Sequence, residues 1–160
     1  AVATLADTGD DFYYGDTWWY ALNAAGAVRA LVGCGYAETY NDAIVYLLGE
    51  LIVLIDDEGS IDEYVQDTAY AALAFSAVGG AGRRYANDLG RWLASHQDDS
   101  GGWTEPDGYE YPESDGEAVR ALASTIGTNV TLDRIRAGKA RSSRWVKTVR
   151  TQAAIPFNGD

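Results

Sequence analysis

The chain has 160 residues, of which 47% are apolar and 22% are charged, a composition that suits one globular domain with a core of its own. A disordered or fibrous chain is excluded. The longest apolar stretch, residues 43–55, contains Glu50 and is shorter than the roughly 18 to 20 residues that a bilayer crossing needs. The sequence therefore predicts no membrane span.

Acidic residues outnumber basic ones by 24 to 12, giving a formal net charge of −12. Such a field repels nucleic acid unless it is locally reversed. Abundant Asp with only two lysines, Lys139 and Lys147, is also typical of proteins from salt-loving organisms. We interpret the composition as that of a halophilic or high-GC source.

Cys34 is the only cysteine and His96 the only histidine. An intramolecular disulfide and a multi-thiolate zinc site are therefore excluded, and the free cysteine slightly favours a cytoplasmic protein. No nucleophile elbow accompanies His96, which disfavours Ser-His-Asp and Cys-His catalysis. We expect no cofactor.

Periods of 3.6 residues, with glycines at the stops, predict an all-α fold of six helices. These helices span about residues 16–32, 41–55, 61–78, 83–96, 114–126 and 132–151. The second is apolar nearly all round except at Glu50, so we expect it in the interior. The last carries seven basic residues, Arg134, Arg136, Lys139, Arg141, Arg144, Lys147 and Arg150. This basic segment could contact nucleic acid, but we favour its lying against the acidic body of a chain.

The chain contains about three similar units of roughly 45 residues, within the range of helical repeats. Residues 97–103 match residues 55–61, with both Asp pairs and one Gly superposed, and residues 117–123 match residues 68–74 after the loop. A weaker copy starts at residues 9–12. We expect a repeat domain over residues 1–130 and a basic C-terminal helix and tail over residues 131–160.

Paired carboxylates recur at the corners of these units. Asp98, Asp99 and Ser100 form the best calcium candidate, but the glycine and the bidentate glutamate of an EF-hand loop are absent from their places. We therefore interpret the pairs as solvated loop acids and predict no metal site.

Trp92, Gln97, Gly101 and Trp103 have the spacing of the QW repeat of the squalene cyclase and prenyltransferase superfamily, which residues 5–126 resemble. The resemblance implies an α/α-toroid, in which helical hairpins stack into an inner and an outer ring, and this chain would form a partial ring of about three hairpins. In such a motif we expect the Gln amide to satisfy backbone groups at a helix end and the Trp to cover that end.

Class II cyclases of this superfamily protonate an alkene with the middle Asp of an Asp-x-Asp-Asp-Thr-Ala motif. Asp67, Thr68 and Ala69 match its last three positions, so the resemblance makes Asp67 a candidate acid. The partner carboxylates that would hold it as a strong acid are missing from the motif here. Cys34 and His96 stand in unrelated repeat positions and do not form the zinc set of a protein prenyltransferase.

We therefore predict a non-catalytic scaffold or protein-interaction protein, such as a structural subunit of an assembly, that self-associates or binds a protein partner. One alternative is an enzyme related to terpene cyclases or prenyltransferases, acting on a polyprenyl substrate with Asp67 as its acid. A second alternative is a carbohydrate-binding or carbohydrate-cleaving α/α module. Its aromatic side chains would stack on sugars and its two glutamates would act as acid and base: Trp103, Tyr109, Tyr111, Glu105 and Glu110.

Overall fold

The computed structural model describes residues 17–99 and 101–126. They form five helices: α1 (Thr17–Gly33), α2 (Asn41–Leu54), α3 (Val65–Val78), α4 (Gly82–Ser95) and α5 (Pro112–Thr125). Over these residues there are no β-strands, only two isolated bridges, so the predicted all-α class is confirmed. The weak repeat at residues 9–12, and the basic helix predicted at 132–151 within the proposed 131–160 segment, lie outside the described residues.

The start of α3 differs most from the prediction, because the helix begins at Val65 and not at Ile61. Asp62 and Glu63 have φ angles of 50° and 61°, which place them in the left-handed region and exclude them from a right-handed helix. The other helix ends agree with the prediction to within two residues. Local backbone conformation, which hydropathy does not report, explains the shorter α3.

Helix α3 is the centre of the described fold and contacts α1, α4 and α5. Nine of its fourteen residues are buried, including four alanines, Ala69, Ala71, Ala72 and Ala74. Because alanine adds little bulk beyond the backbone, neighbouring helices can approach α3 on several sides. The C-terminal ends of α3 and α5 lie together, where Ser76 Oγ donates to the Ser124 carbonyl over 3.0 Å.

Helix α2 packs mainly on α1, at the edge of the bundle. Tyr20 Oη of α1 donates to Glu50 of α2 over 3.0 Å, and burial together with this bond raises the pKa of Tyr20. The prediction that α2 lies in the interior is wrong, because only Ile44, Leu47 and Leu51 of this helix are buried. An apolar sequence can line an edge when no described element covers its outer side.

None of the described helices is both long and apolar enough to cross a bilayer.

Close approach of α4 and α5 depends on Gly90. A Cβ at this position would lie 3.0 Å from Thr125 Cβ and would clash with Thr125 Oγ1. Thr125 is itself held by a 2.8 Å bond from Oγ1 to the Ala121 carbonyl. The interface therefore has little room to relax around an added methyl group.

We expect Gly90→Ala to lower the free energy of unfolding by about 1–3 kcal/mol, the usual cost of overpacking. The matched control is Gly26→Ala in α1, where an added Cβ meets no atom within 4 Å. That change should be neutral or stabilising by up to about 1 kcal/mol, because alanine has the higher helix propensity. Urea denaturation of both variants makes the comparison, and equal effects would contradict the close approach.

Candidate functional site

The loops that follow α2 and α4 share one backbone geometry. In each loop the first Asp, Asp56 or Asp98, donates its N–H to the carbonyl four residues later over 2.9 Å, and accepts from the N–H of the Gly three residues later. Gly59 and Gly101 have φ angles of 87° and 94°, a conformation that favours glycine. The repeat seen in the sequence at this corner therefore corresponds to a repeated local structure.

Three residues of the QW-like motif, Gln97, Gly101 and Trp103, form a corner at the end of α4. Trp103 is fully buried, and its Nε1 donates to the Leu93 carbonyl in the last turn of α4 over 2.7 Å. Gln97 Nε2 donates to the Gly101 carbonyl over 2.7 Å, so Gln97 closes the turn. Trp103 therefore donates to a backbone carbonyl at the helix end and also covers that end. We expected the Gln97 amide to make the first of these contacts and Trp103 only the second. Trp92 is buried on α4, and its ring stacks on that of His96 with 4.1 Å between the centroids.

Each corner is tied to the helix that follows it. The N–H of Ile61 donates to Thr68 Oγ1 over 3.1 Å, and the N–H of Trp103 donates to Asp115 Oδ1 over 2.9 Å. Thr68 and Asp115 each occupy the fourth position of their helix, and these positions are 47 residues apart. The alignment of residues 68–74 with 117–123 is therefore two positions away from the register that these hydrogen bonds define.

Glu105 caps α3 from a loop about 40 residues further along the chain. Its Oε2 accepts from the Val65 N–H over 2.7 Å and its Oε1 accepts from the Gln66 N–H over 3.1 Å. The first N–H groups of a helix have no partner within the helix, and a carboxylate there also interacts favourably with the helix dipole. Glu105 is only 4% exposed, so it is placed as a capping residue and not as an accessible acid or base for sugar cleavage.

Asp67 lies directly behind this cap, in the first turn of α3, and is fully buried. Neither carboxyl oxygen has a hydrogen-bond partner in the described structure. Burial raises the pKa of Asp67 to about 8, and the carboxylates of Glu105 and Asp62 add to this effect. Asp67 is therefore protonated and neutral at pH 7, since an ion at this position would be costly.

Backbone strain lies next to the buried acid. Asp62 and Glu63, the two consecutive residues with left-handed φ angles, are separated from α3 only by its N-cap residue Tyr64, and such conformations cost free energy in residues with a Cβ. The Glu63 N–H donates to Ser60 Oγ over 3.3 Å, and Ser60 Oγ in turn donates to Asp56 over 2.5 Å. The corner turn thus holds the strained pair against the start of α3.

The loop between Thr104 and Pro112 presents two of the predicted aromatic residues. Tyr109 is 67% exposed, and its ring centroid lies 6.4 Å from that of Tyr111. Tyr111 Oη donates to Asp107 over 2.7 Å, and this bond is the main reason that the pKa of Tyr111 is raised. Glu110 is exposed in the same loop. Trp103, by contrast, is a core residue, so the predicted sugar-stacking set of three aromatics is not brought together.

Within the two described stretches, no group of three or more His, Cys, Asp or Glu side chains is placed to hold a metal ion. In the calcium candidate, Asp98 Oδ2 accepts from Thr104 Oγ1 over 2.7 Å and Asp99 is exposed. Ser100 lies outside the described residues. The Asp98 carboxylate is thus engaged in stabilising the corner.

The protonated state of Asp67 predicts an unusual dependence of stability on pH. The folded chain keeps this proton up to about pH 8, whereas the unfolded chain releases it near pH 3.8. The folded state therefore loses stability as the pH rises between these values, with a slope of up to about 1.4 kcal/mol per pH unit. Asp67→Asn removes this term, so the stability of the variant relative to the wild type should increase between pH 5 and pH 8.

Urea denaturation at several pH values measures this difference. The control variant Asp57→Asn changes an exposed carboxyl of the corner turn and should follow the wild-type profile. Parallel profiles for the wild type and Asp67→Asn would show that Asp67 is ionised in the folded protein.

Glu105 and Glu110 offer a matched pair for testing the cap. Glu105→Ala leaves two N–H groups at the start of α3 without their acceptor and should destabilise the protein by about 2–4 kcal/mol. Glu110→Ala removes an exposed side chain and should change stability by less than about 0.5 kcal/mol. Thermal or urea unfolding of the two variants gives the comparison, and a small effect at Glu105 would rule out the capping role.

Comparisons of the chain with protein-family models, with curated proteins and with solved structures gave no match.

Proposed function

We propose that the protein is a non-catalytic interaction module that self-associates through the outer face of α2. This face is defined by Val45, Tyr46, Gly49, Ile52 and Val53. Its four large apolar side chains are 60%, 48%, 37% and 80% exposed in chain order. Because they recur at helical spacing, they form one apolar stripe. Contiguous exposed apolar surface of this kind marks interaction sites in soluble proteins.

The order of residues along the face supports pairing with a second copy. Val45 and Tyr46 precede Gly49 by four and three positions, and Ile52 and Val53 follow it by three and four. If two α2 helices cross antiparallel at Gly49, Val45 of one copy meets Val53 of the other, and Tyr46 meets Ile52. Such a contact is isologous, as two-fold dimers require. The space around Gly49 is open, so a second helix can approach closely there.

The helical hairpins and the repeated corner turn also support the resemblance to an α/α-toroid. An incomplete ring leaves the sides of its terminal hairpins uncovered. On this proposal α2 is such an edge helix, and a second copy supplies the apolar neighbour that a complete ring would provide. The module would then act as a structural subunit of a symmetric assembly.

A charge introduced on the apolar α2 face tests the proposal. Val53→Glu places a carboxylate in the contact and should weaken the dimer by about 3 kcal/mol, or roughly 100-fold in dissociation constant. The control is Val78→Glu at the end of α3, a valine that is 39% exposed but lies outside the α2 face. Light scattering coupled to size exclusion should find a dimer for the wild type and the control, and a monomer for Val53→Glu. A wild-type monomer, or equal effects of both substitutions, would contradict the proposal.

A second candidate function is the terpene-cyclase-related one, and the buried Asp67 is the observation that favours it. A general acid must carry its proton at the working pH, and the raised pKa of Asp67 supplies such a proton near neutrality. Because Asp67 is fully buried, this alternative also requires the start of α3 to open before a substrate reaches the acid. On this alternative Asp67→Asn abolishes conversion of a polyprenyl substrate while the protein stays folded. Turnover by the wild type that persists in the variant would exclude Asp67 as the acid.

A further inference from the structure

A groove of about 620 Å³ separates α4 from the corner turn at residues 56–59. Ile55, Leu89 and Trp92 contribute apolar side chains to it. Trp92 is 5% exposed, and its indole Nε1 is buried without a hydrogen-bond acceptor in the described part of the chain. A buried N–H of this kind is costly to leave unpaired. The apolar lining residues that are only partly buried, and so open to a ligand in the groove, are Ile55 and Tyr85.

The charges along the groove are unequal on its two sides. Asp56, Asp57 and Glu58 lie along the turn, and hydrogen bonds from Ser60 and the Glu58 N–H outweigh the opposing effect of burial and lower the pKa of Asp56. On the α4 side, Asp88 pairs with two arginines, Arg84 and Arg91. These arginines are therefore partly neutralised, and the groove as a whole is acidic. Its chemistry suits a basic segment with apolar side chains.

The chain itself contains such a segment, and the described structure ends on the other side of α4 from the groove, because Gly90 lies on the helix face opposite Asp88 and Trp92. An added Cβ on Gly90 of α4 would lie 3.6 Å from Ile126 Cγ2, so Ile126 lies against the helix that forms one wall. After Asp133 the sequence has seven basic residues and one acid, and the apolar residues Trp145, Val146 and Val149 lie between Arg144 and Arg150. The seven residues between Ile126 and Arg134 can span up to about 23 Å. This length exceeds the roughly 10–12 Å diameter of a helix, so the chain can pass around α4 to reach the groove.

We propose that residues 134–150 occupy this groove in their own chain, with their basic side chains against the 56–59 turn and their apolar side chains over Ile55 and Tyr85. This contact uses a different surface from the α2 face, so it does not depend on the proposed function. It also places the basic charge where it neutralises the acidic body and not on the outside of the protein.

Disulfide trapping in the full-length chain tests this placement. In a Cys34→Ser background, Ser95→Cys puts a thiol in the groove without changing its acidic residues. It is combined in turn with Ser142→Cys, Ser143→Cys and Thr148→Cys in the basic segment. At least one pair should form an intrachain disulfide rapidly, because docking raises the effective concentration of the two thiols. In the control series Asp42→Cys, at an exposed position of α2, replaces Ser95→Cys, and the disulfide should form at least about tenfold more slowly.

Charge reversal in the same cysteine pairs supplies the decisive comparison. Asp57→Lys together with Glu58→Lys should slow intrachain disulfide formation by about tenfold or more. About 1 M salt should act in the same direction, because the Debye length falls to about 3 Å. The proposal is overturned if the groove and Asp42 thiols react equally fast, if the products are mainly interchain disulfides, or if charge reversal leaves the rate unchanged.

Discussion

The carboxylate of Glu105 holds the first two N–H groups of α3, and the rest of the described structure depends on this contact. It joins the loop before α5 to the start of the central helix, across a separation of about 40 residues. Because Asp67 is buried directly behind the cap, two carboxyl groups share one poorly hydrated region. Ionising both groups there would be costly, so Asp67 keeps its proton while Glu105 accepts the two hydrogen bonds at the start of α3.

The hydrogen bonds at the corners and helix ends distinguish the side chains with a structural role from the surfaces that are open to a partner. Several polar or aromatic side chains that could suggest a functional site instead make hydrogen bonds that stabilise a corner or a helix end. They are Trp103, Glu105 and Asp115. The surfaces without a described neighbour lie elsewhere, on α2 and along α4. An inner framework of hydrogen-bonded corners with apolar or acidic outer faces is suited to assembly, and this is the physical basis for the proposed interaction role.

The helices and the corner turns could be predicted from the sequence because their signals are local. Helical periodicity located α1 to α5, and the repeated Asp pair with its Gly marked two turns of the same geometry. The exposed side of α2 could not be predicted, because hydropathy does not say which neighbours exist. Nor could the cap: Glu63 holds the same place after Ile61 as Glu105 holds after Trp103, but Glu63 is exposed and only Glu105 reaches α3. Such a contact depends on the tertiary structure.

The protonation state of Asp67 shows whether the start of α3 holds a buried, neutral acid beside the Glu105 cap. The carboxyl carbon of Asp67 can be assigned by comparing carbon-detected NMR spectra of the wild type and Asp67→Asn, and its chemical shift followed from acid to alkaline pH. We expect a single titration near pH 8, with the resonance at the position of a protonated acid at neutral pH. A titration near the ordinary Asp value of 3.8 would show that the Asp67 carboxyl is hydrated or hydrogen-bonded. That result would contradict its burial without a partner beside Glu105.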